Sequence, residues 1–217
     1  MSIVANAARL LREAPAGKLA LPVDDVKLIC AKLTERGGNR DIRDHAMLLL
    51  GFACGWRRSE IVSLRLRDIR FATKGLRIRL GASKMDQDGR RGRQIGIPFG
   101  DDPATCPVRA LRRWTQIRGS WEGPLFTHVN GAGFVEYGGL TGDTVNRRLK
   151  TILRWLGKDS KNYGAHSLRA GMVTAAAENG ASLAAIMQRT GHKTVEMVMR
   201  YVRPAQAFKA DPLKGVL

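Results

Sequence analysis

The chain has 217 residues, enough for one large domain or two small ones with a real hydrophobic core. Its apolar share of 44% and charged share of 26% suit a soluble globular protein, and no apolar run approaches the ~18 residues of a membrane span. Against 19 Asp plus Glu stand 37 Lys plus Arg, a net charge of +18 spread along the chain, which points to a polyanionic partner and above all to nucleic acid.

Residues 1–20 hold a short amphipathic piece, Val4 to Leu11, and then Ala14-Pro15-Ala16-Gly17, the composition of a linker. The N-terminus has no cleavable-signal pattern. Folding is expected to begin at Leu21-Pro22-Val23-Asp24-Asp25, where proline and paired acids suit a helix N-terminus. Val26, Ile29, Cys30 and Leu33 follow helical spacing up to Gly37-Gly38. A second helix is predicted from Arg40 to Cys54, with Met47, Leu48, Leu50 and Phe52 apolar, and after a turn at Gly55 a third runs about Ser59 to Leu64.

The period then changes. Ile69 and Phe71, then Leu76, Ile78 and Leu80, then Ile95 and Ile97 alternate with polar residues as half-buried strands do. Between the last two lies a polar, glycine-rich loop over 81–92, so a small three-stranded antiparallel sheet with an exposed hairpin is expected. Residues 57–79 carry eight basic side chains against Glu60 and Asp68.

Helices resume after Pro98. Cys106 to Ile117 presents Arg109, Arg112 and Arg113 as a cationic face, with Arg118 just beyond. The stretch Trp121 to Gly139, with five glycines, is expected to be loop-rich. Thr141 to Leu156 is helical by spacing, and three shorter helices follow near Leu168–Glu178, Leu183–Arg189 and Val195–Val202. The fold class is α+β, mainly helical, without repeats. Cys30, Cys54 and Cys106 have no CxxC spacing and cannot all pair, which suits buried free thiols in a reducing cytoplasm.

Chemistry-bearing residues gather at the C-terminal end. Within 166–201 fall His166, Arg169, His192 and Tyr201, in a chain with four histidines and three tyrosines. In the last helix Val195, Val198, Met199 and Val202 form an apolar stripe, and Tyr201 lies roughly 110° from its centre, on the flank rather than in the core. His166 and Arg169, three apart at a helix start, project from neighbouring positions. His45 and His128 lie in unrelated contexts, and no HExxH or paired Cys/His spacing suggests a metal site.

Gly55-Trp56-Arg57-Arg58-Ser59-Glu60-Ile61 resembles the first arginine box of the tyrosine recombinases, the phage integrase family. His166-Ser167-Leu168-Arg169 is similar to that family's HxxR, Gly191-His192 to its Gly-His turn, and Tyr201, nine residues on, to its nucleophile. Lys84 matches the lysine on the hairpin between the second and third strands, with Lys74 in the first inter-strand turn as its rival. The resemblance spans roughly 21–205, leaving 1–20 as an N-terminal extension and 206–217 as a tail. It departs in Ala170-Gly171, where the family has a polar pair, and in Thr190, where it has leucine. Glycine at 171 is expected to loosen its helix, by about 1 kcal/mol of propensity against alanine. The family's N-terminal helical domain, which closes over the DNA, has no counterpart in this sequence, which suits a fragment or a natural form lacking that clamp.

The resemblance implies DNA strand cleavage and rejoining through a 3′-phosphotyrosine, with no metal, ATP or other cofactor. Tyr201 would be the nucleophile, Arg57 and Arg169 the binders of the phosphate oxygens, and Lys84 the general acid. His166 would accept a proton near Tyr201, and His192 would donate a hydrogen bond to the phosphate. Arg58, Arg90, Arg91, Arg93, Arg109, Arg112 and Arg113 are expected at the DNA backbone, where contacts position without reading bases. The implied partners are double-stranded DNA and further copies of the chain, as a tetramer on DNA in a full-length context, with no membrane. Two other readings stay open: a type IB topoisomerase-like enzyme and a DNA-binding remnant that does not cut.

Overall fold

In the computed structural model, which describes residues 18–81 and 93–206, helices follow the apolar spacing and stop at glycine. Helix α1 (Val23–Arg36) starts after Pro22, carries Asp24 and Asp25 in its first turn and buries Val26, Ile29, Cys30 and Leu33. Helix α2 (Asn39–Cys54) is enveloped: Ala46 to Gly51 are buried without a break, as befits a helix apolar around most of its circumference. It packs against α1, against α4 (Pro107–Arg118) and against α6 (Ala165–Glu178). Its buried charges are compensated. Asp44, fully buried, accepts from Arg43 at 2.6 Å and from Arg148, and Arg43 also donates to the Thr127 carbonyl.

Helix α3 (Arg58–Ser63) leads into the sheet β1 (Ile69–Ala72), β2 (Gly75–Leu80) and β3 (Arg93–Pro98), antiparallel in the order β1-β2-β3. Ile69 faces Ile78, Ile78 faces Ile95 and Leu76 faces Ile97, so the alternation predicted from the sequence is the register observed. Helices α5 (Gly142–Trp155), α7 (Leu183–Thr190) and α8 (Val195–Gln206) complete a mainly helical α+β fold, with eight α-helices among the described residues. No helix among those residues is long and apolar enough to cross a membrane. All three cysteines are buried and free.

Three expectations need correction, and one element goes beyond them. The loop-rich stretch Trp121 to Gly139 also holds a hairpin: β4 (Thr127–Val129) pairs antiparallel with β5 (Val135–Gly139) around a turn where Asn130 Oδ1 accepts from the amides of Ala132 and Phe134. Its strands are too short and glycine-rich to show a period. Arg118 does not extend a cationic face. It is 2% exposed, donates to the carbonyls of Gly119, Trp121 and Pro124, and lies 3.9 Å from the centre of the Trp121 ring.

Gly171 is a packing requirement rather than a weak point. A Cβ there would fall 2.2 Å from the Leu21 carbonyl oxygen and 2.9 Å from Phe52, so its absence lets the chain at Leu21 cross α6. Finally, the apolar stripe of α8 is shorter than expected: Val198 and Val202 are buried, but Val195 is exposed. These two valines join Val173, Ala177 and Ile186 in a small cluster, with Met172, Met187, Met199 and Tyr201 packed against it. The main core, built around α2, is a separate cluster.

Candidate active site

Arg169 sits at the centre. It lies in the first half of α6, whose start is fixed twice: the Gly164 amide donates to Ser167 Oγ, and the Ala165 amide to Asn146 Oδ1 on α5. Its side chain is 1% exposed. Nη1 donates to the carbonyls of Gly55 and Thr190, each at 2.7 Å, and Nε donates to His192 Nε2 at 3.2 Å. The guanidinium thus ties the end of α2 to the end of α7. Nη2 is buried and has no partner. A buried cationic donor without an acceptor costs more than ~1–3 kcal/mol, which an arriving oxyanion would recover.

The hydrogen bonds fix the tautomer of His192. Thr190 Oγ1 has one proton and donates it to the Ile186 carbonyl at 2.7 Å. It therefore accepts from His192 Nδ1, also at 2.7 Å, and leaves Nε2 to accept from Arg169. Burial, then the Arg169 and Arg57 guanidiniums, pushes this imidazole down to about 4, so the ring is neutral at physiological pH. In this arrangement His192 orients Arg169. The donor role implied by the family resemblance would need a second ring proton, which these surroundings oppose.

Tyr201, on the flank of α8 as its spacing predicted, brings its hydroxyl to 2.7 Å from His166 Nε2. Its ring centre is 6.1 Å from that of His192. The pKa of His166 is lowered by burial, then by Arg169 and Arg57, which favours the neutral ring and a free lone pair. Arg57 stands at the N-terminus of α3, and its side chain is about half exposed. Its amide donates to Glu60 Oε2 at 2.7 Å, and its Nη1 is 3.8 Å from Glu60 Oε1. Glu60 belongs to the arginine box, and its three-residue spacing from Arg57 is the sequence signal of a helix-capping acid. A cleft of about 360 Å³ opens beside these groups, lined by Arg57, Arg58, Lys18, Lys150, Asn146 and His166. Lys18, Asn146 and Lys150 carried no sequence motif.

The structure thus brings together Arg57, His166, Arg169, His192 and Tyr201. Lys84, Arg90 and Arg91, like residues 1–17 and 207–217, lie outside the described residues. Lys74 is exposed in the β1–β2 turn. Arg58 is paired with Asp143 at 2.6 Å on the rim of the cleft. Arg93 turns inward from β3 and faces Glu60. The helix arginines expected at the DNA backbone are exposed on α4, outside this cluster: Arg109 and Arg112 lie over Phe99, Arg112 also over Phe71, and Arg113 is near His45. His45 donates to the Ala104 carbonyl and His128 is exposed on β4, both apart from this cluster.

Comparison with known proteins agrees with this geometry. The family model described as the phage integrase family matches residues 20–207. The chain is 35% identical over 172 residues to an integrase/recombinase xerD homolog of Selenomonas ruminantium, covering 79% of this chain and 50% of that one. It is 28% identical to the tyrosine recombinase XerC of Pelobacter propionicus, over 83% of this chain and 54% of that protein. The chain therefore spans about half the length of the curated relatives it matches. Its fold is that of the XerH site-specific recombinase bound to a difH substrate (TM-score 0.68, 15% identity, 92% of this chain and 52% of that one). It is also that of a lambda integrase dimer bound to a core site (TM-score 0.63, 18% identity, 96% and 55%). By the extent of the family match and by its relatives, the chain belongs to the phage integrase family.

Proposed function

We propose that this chain carries the cutting and rejoining centre of a site-specific DNA recombinase working through a 3′-phosphotyrosine at Tyr201. The observation that carries the reading is the 2.7 Å contact between Tyr201 Oη and His166 Nε2, beside a buried guanidinium with an unpartnered nitrogen. Tyr201 Oη attacks a DNA phosphodiester and passes its proton to His166. The bond to the 5′ oxygen breaks as the bond to tyrosine forms, so one phosphodiester replaces another and the step reverses without an energy source.

Charge developing on the non-bridging oxygens is met by Arg57 and by Arg169 Nη2, with Arg169 held in place by three hydrogen bonds, to Gly55, Thr190 and His192. Lys84 is assigned the proton transfer to the departing 5′ oxygen on the family resemblance. The cationic cleft beside Arg57 suits the neighbouring backbone phosphates. Arg58, Arg90, Arg91, Arg109, Arg112 and Arg113 are assigned to the DNA backbone from the sequence. The difH substrate held by the XerH recombinase, and the core site held by a lambda integrase dimer, support duplex DNA as substrate and self-association on it.

The test begins with a randomised pool of nicked duplexes, from which the wild-type chain selects sequences as denaturant-stable adducts. Tyr201→Phe should abolish adduct formation on the selected duplex while still binding it. No adduct from the wild type, or equal adduct from Tyr201→Phe, would refute the reading. Relaxation of any supercoiled plasmid regardless of sequence would favour a topoisomerase instead.

A further inference from the structure

The strand β3 carries Arg93 on the same face as the buried Ile95 and Ile97, opposite Leu80. Two of its nitrogens, Nε and Nη2, are buried and have no hydrogen-bond partner. An acceptor stands near: Glu60 Oε1 is 3.8 Å from Arg93 Nη2. That same oxygen is 3.8 Å from Arg57 Nη1, while the other, Oε2, is already engaged by the Arg57 amide. Oε1 is thus shared between two guanidiniums and within hydrogen-bonding distance of neither. The remaining Arg93 nitrogen, Nη1, packs onto the turn before His192, where a Cβ at Gly191 would lie 1.9 Å away. Arg189, at the end of α7, adds a second tie by donating to the Gly96 carbonyl of β3.

We propose that Arg93 is a positioning residue for strand cleavage, taking Glu60 from Arg57 when a DNA phosphate draws Arg57 away and buttressing the Gly191–His192 turn. This rests on the function proposed above. A phosphate offers Arg57 charged oxygens that a shared carboxylate at 3.8 Å does not match. Once Arg57 turns, Oε1 needs to move only about 1 Å to bond the orphaned donors of Arg93. The exchange keeps Glu60 neutralised, so no bare carboxylate is left beside an incoming phosphate. A direct phosphate contact, the role first expected for Arg93, does not suit Nε and Nη2, which are already sealed from solvent.

The experiment uses the duplex selected by the wild-type chain, and compares Arg93→Gln, Arg93→Lys, Glu60→Gln and the Glu60→Gln/Arg93→Gln double variant. Arg93→Gln should slow single-turnover adduct formation at saturating DNA by about tenfold or more, while Kd and its salt dependence stay at wild-type values. Arg93→Lys should restore part of the rate. In the Glu60→Gln background, Arg93→Gln should cost much less than in the wild type, the signature of coupled residues.

The proposal is overturned if Arg93→Gln cleaves at the wild-type rate, or if it weakens binding and lowers the salt slope by about one phosphate contact. It is equally overturned if the losses from Glu60 and Arg93 simply add, as for a purely structural residue. Should Arg93→Gln fail to fold, the same cycle is run with Arg93→Lys, with additivity again the contrary result. A wild-type chain that forms no Tyr201-dependent adduct defeats the function itself, an outcome distinct from loss of this inference alone.

Discussion

His192 shows how much of this site resides in single hydrogen bonds. Its Nδ1 proton is committed to Thr190, its Nε2 to Arg169, and neighbouring cations keep it neutral. His166 is shifted in the same direction. The folded chain therefore refuses protons that the unfolded chain binds near ~6.5. These groups contribute stability that is complete above that pH and is lost as pH falls, for the buried His192 toward about 4 and at up to about 1.4 kcal/mol per pH unit, and for the solvent-exposed His166 by less. The urea midpoint should fall between about pH 7 and about pH 5, and fall less in a His192→Asn variant. The same shift predicts that adduct formation holds its rate as pH drops through about 6.5, because His166 remains able to accept the tyrosine proton. A rate that halves there would mean an ordinary histidine titration. At this scale the motifs placed Arg57, His166, Arg169 and Tyr201 correctly in one cluster. The inward turn of Arg93 was also legible, since it shares the alternation of Ile95 and Ile97. The Thr190–His192–Arg169 chain was not, because it depends on where α7 ends relative to α2.

Among the elements, α6 links the two hydrophobic clusters. Its N-terminal half presents Leu168 to the main core, and its C-terminal half presents Val173 and Ala177 to the cluster that holds α7 and α8. Gly171 lies between them, where Leu21 crosses. Gly171→Ala should lower stability by about 1–3 kcal/mol in chemical denaturation, although alanine is the better helix former. A stabilised variant would show that the contact yields easily. Helix α8, which carries Tyr201, is held by far fewer buried side chains than α2. Amides of α8 should therefore exchange through openings of lower free energy than those of α2, as hydrogen exchange can measure. Equal protection would contradict a separately anchored α8. Helix and strand periods made the three-stranded sheet readable, whereas the β4–β5 hairpin was hidden by glycines and by strands of three and five residues.

For the whole molecule, the net charge of +18 and the paired, enveloped charges of the core belong to different problems. Asp44 and Arg43 are spent on folding, and Arg118 on holding a loop, so neither enters a polyanion surface. Lys18, Arg57 and Arg58 around the cleft are instead exposed at the surface. DNA affinity should fall steeply with salt, with a log–log slope of about −0.9 for each phosphate engaged. A nearly flat salt dependence would deny an electrostatic interface. The central claim is most directly tested by digesting the protein–DNA adduct and locating the attached nucleotide by mass spectrometry. The expected product is a 3′-phosphoryl nucleotide on the peptide containing Tyr201, with a free 5′-hydroxyl on the other strand end. Attachment at Tyr163 or Tyr137, or through a 5′ phosphate, would contradict it.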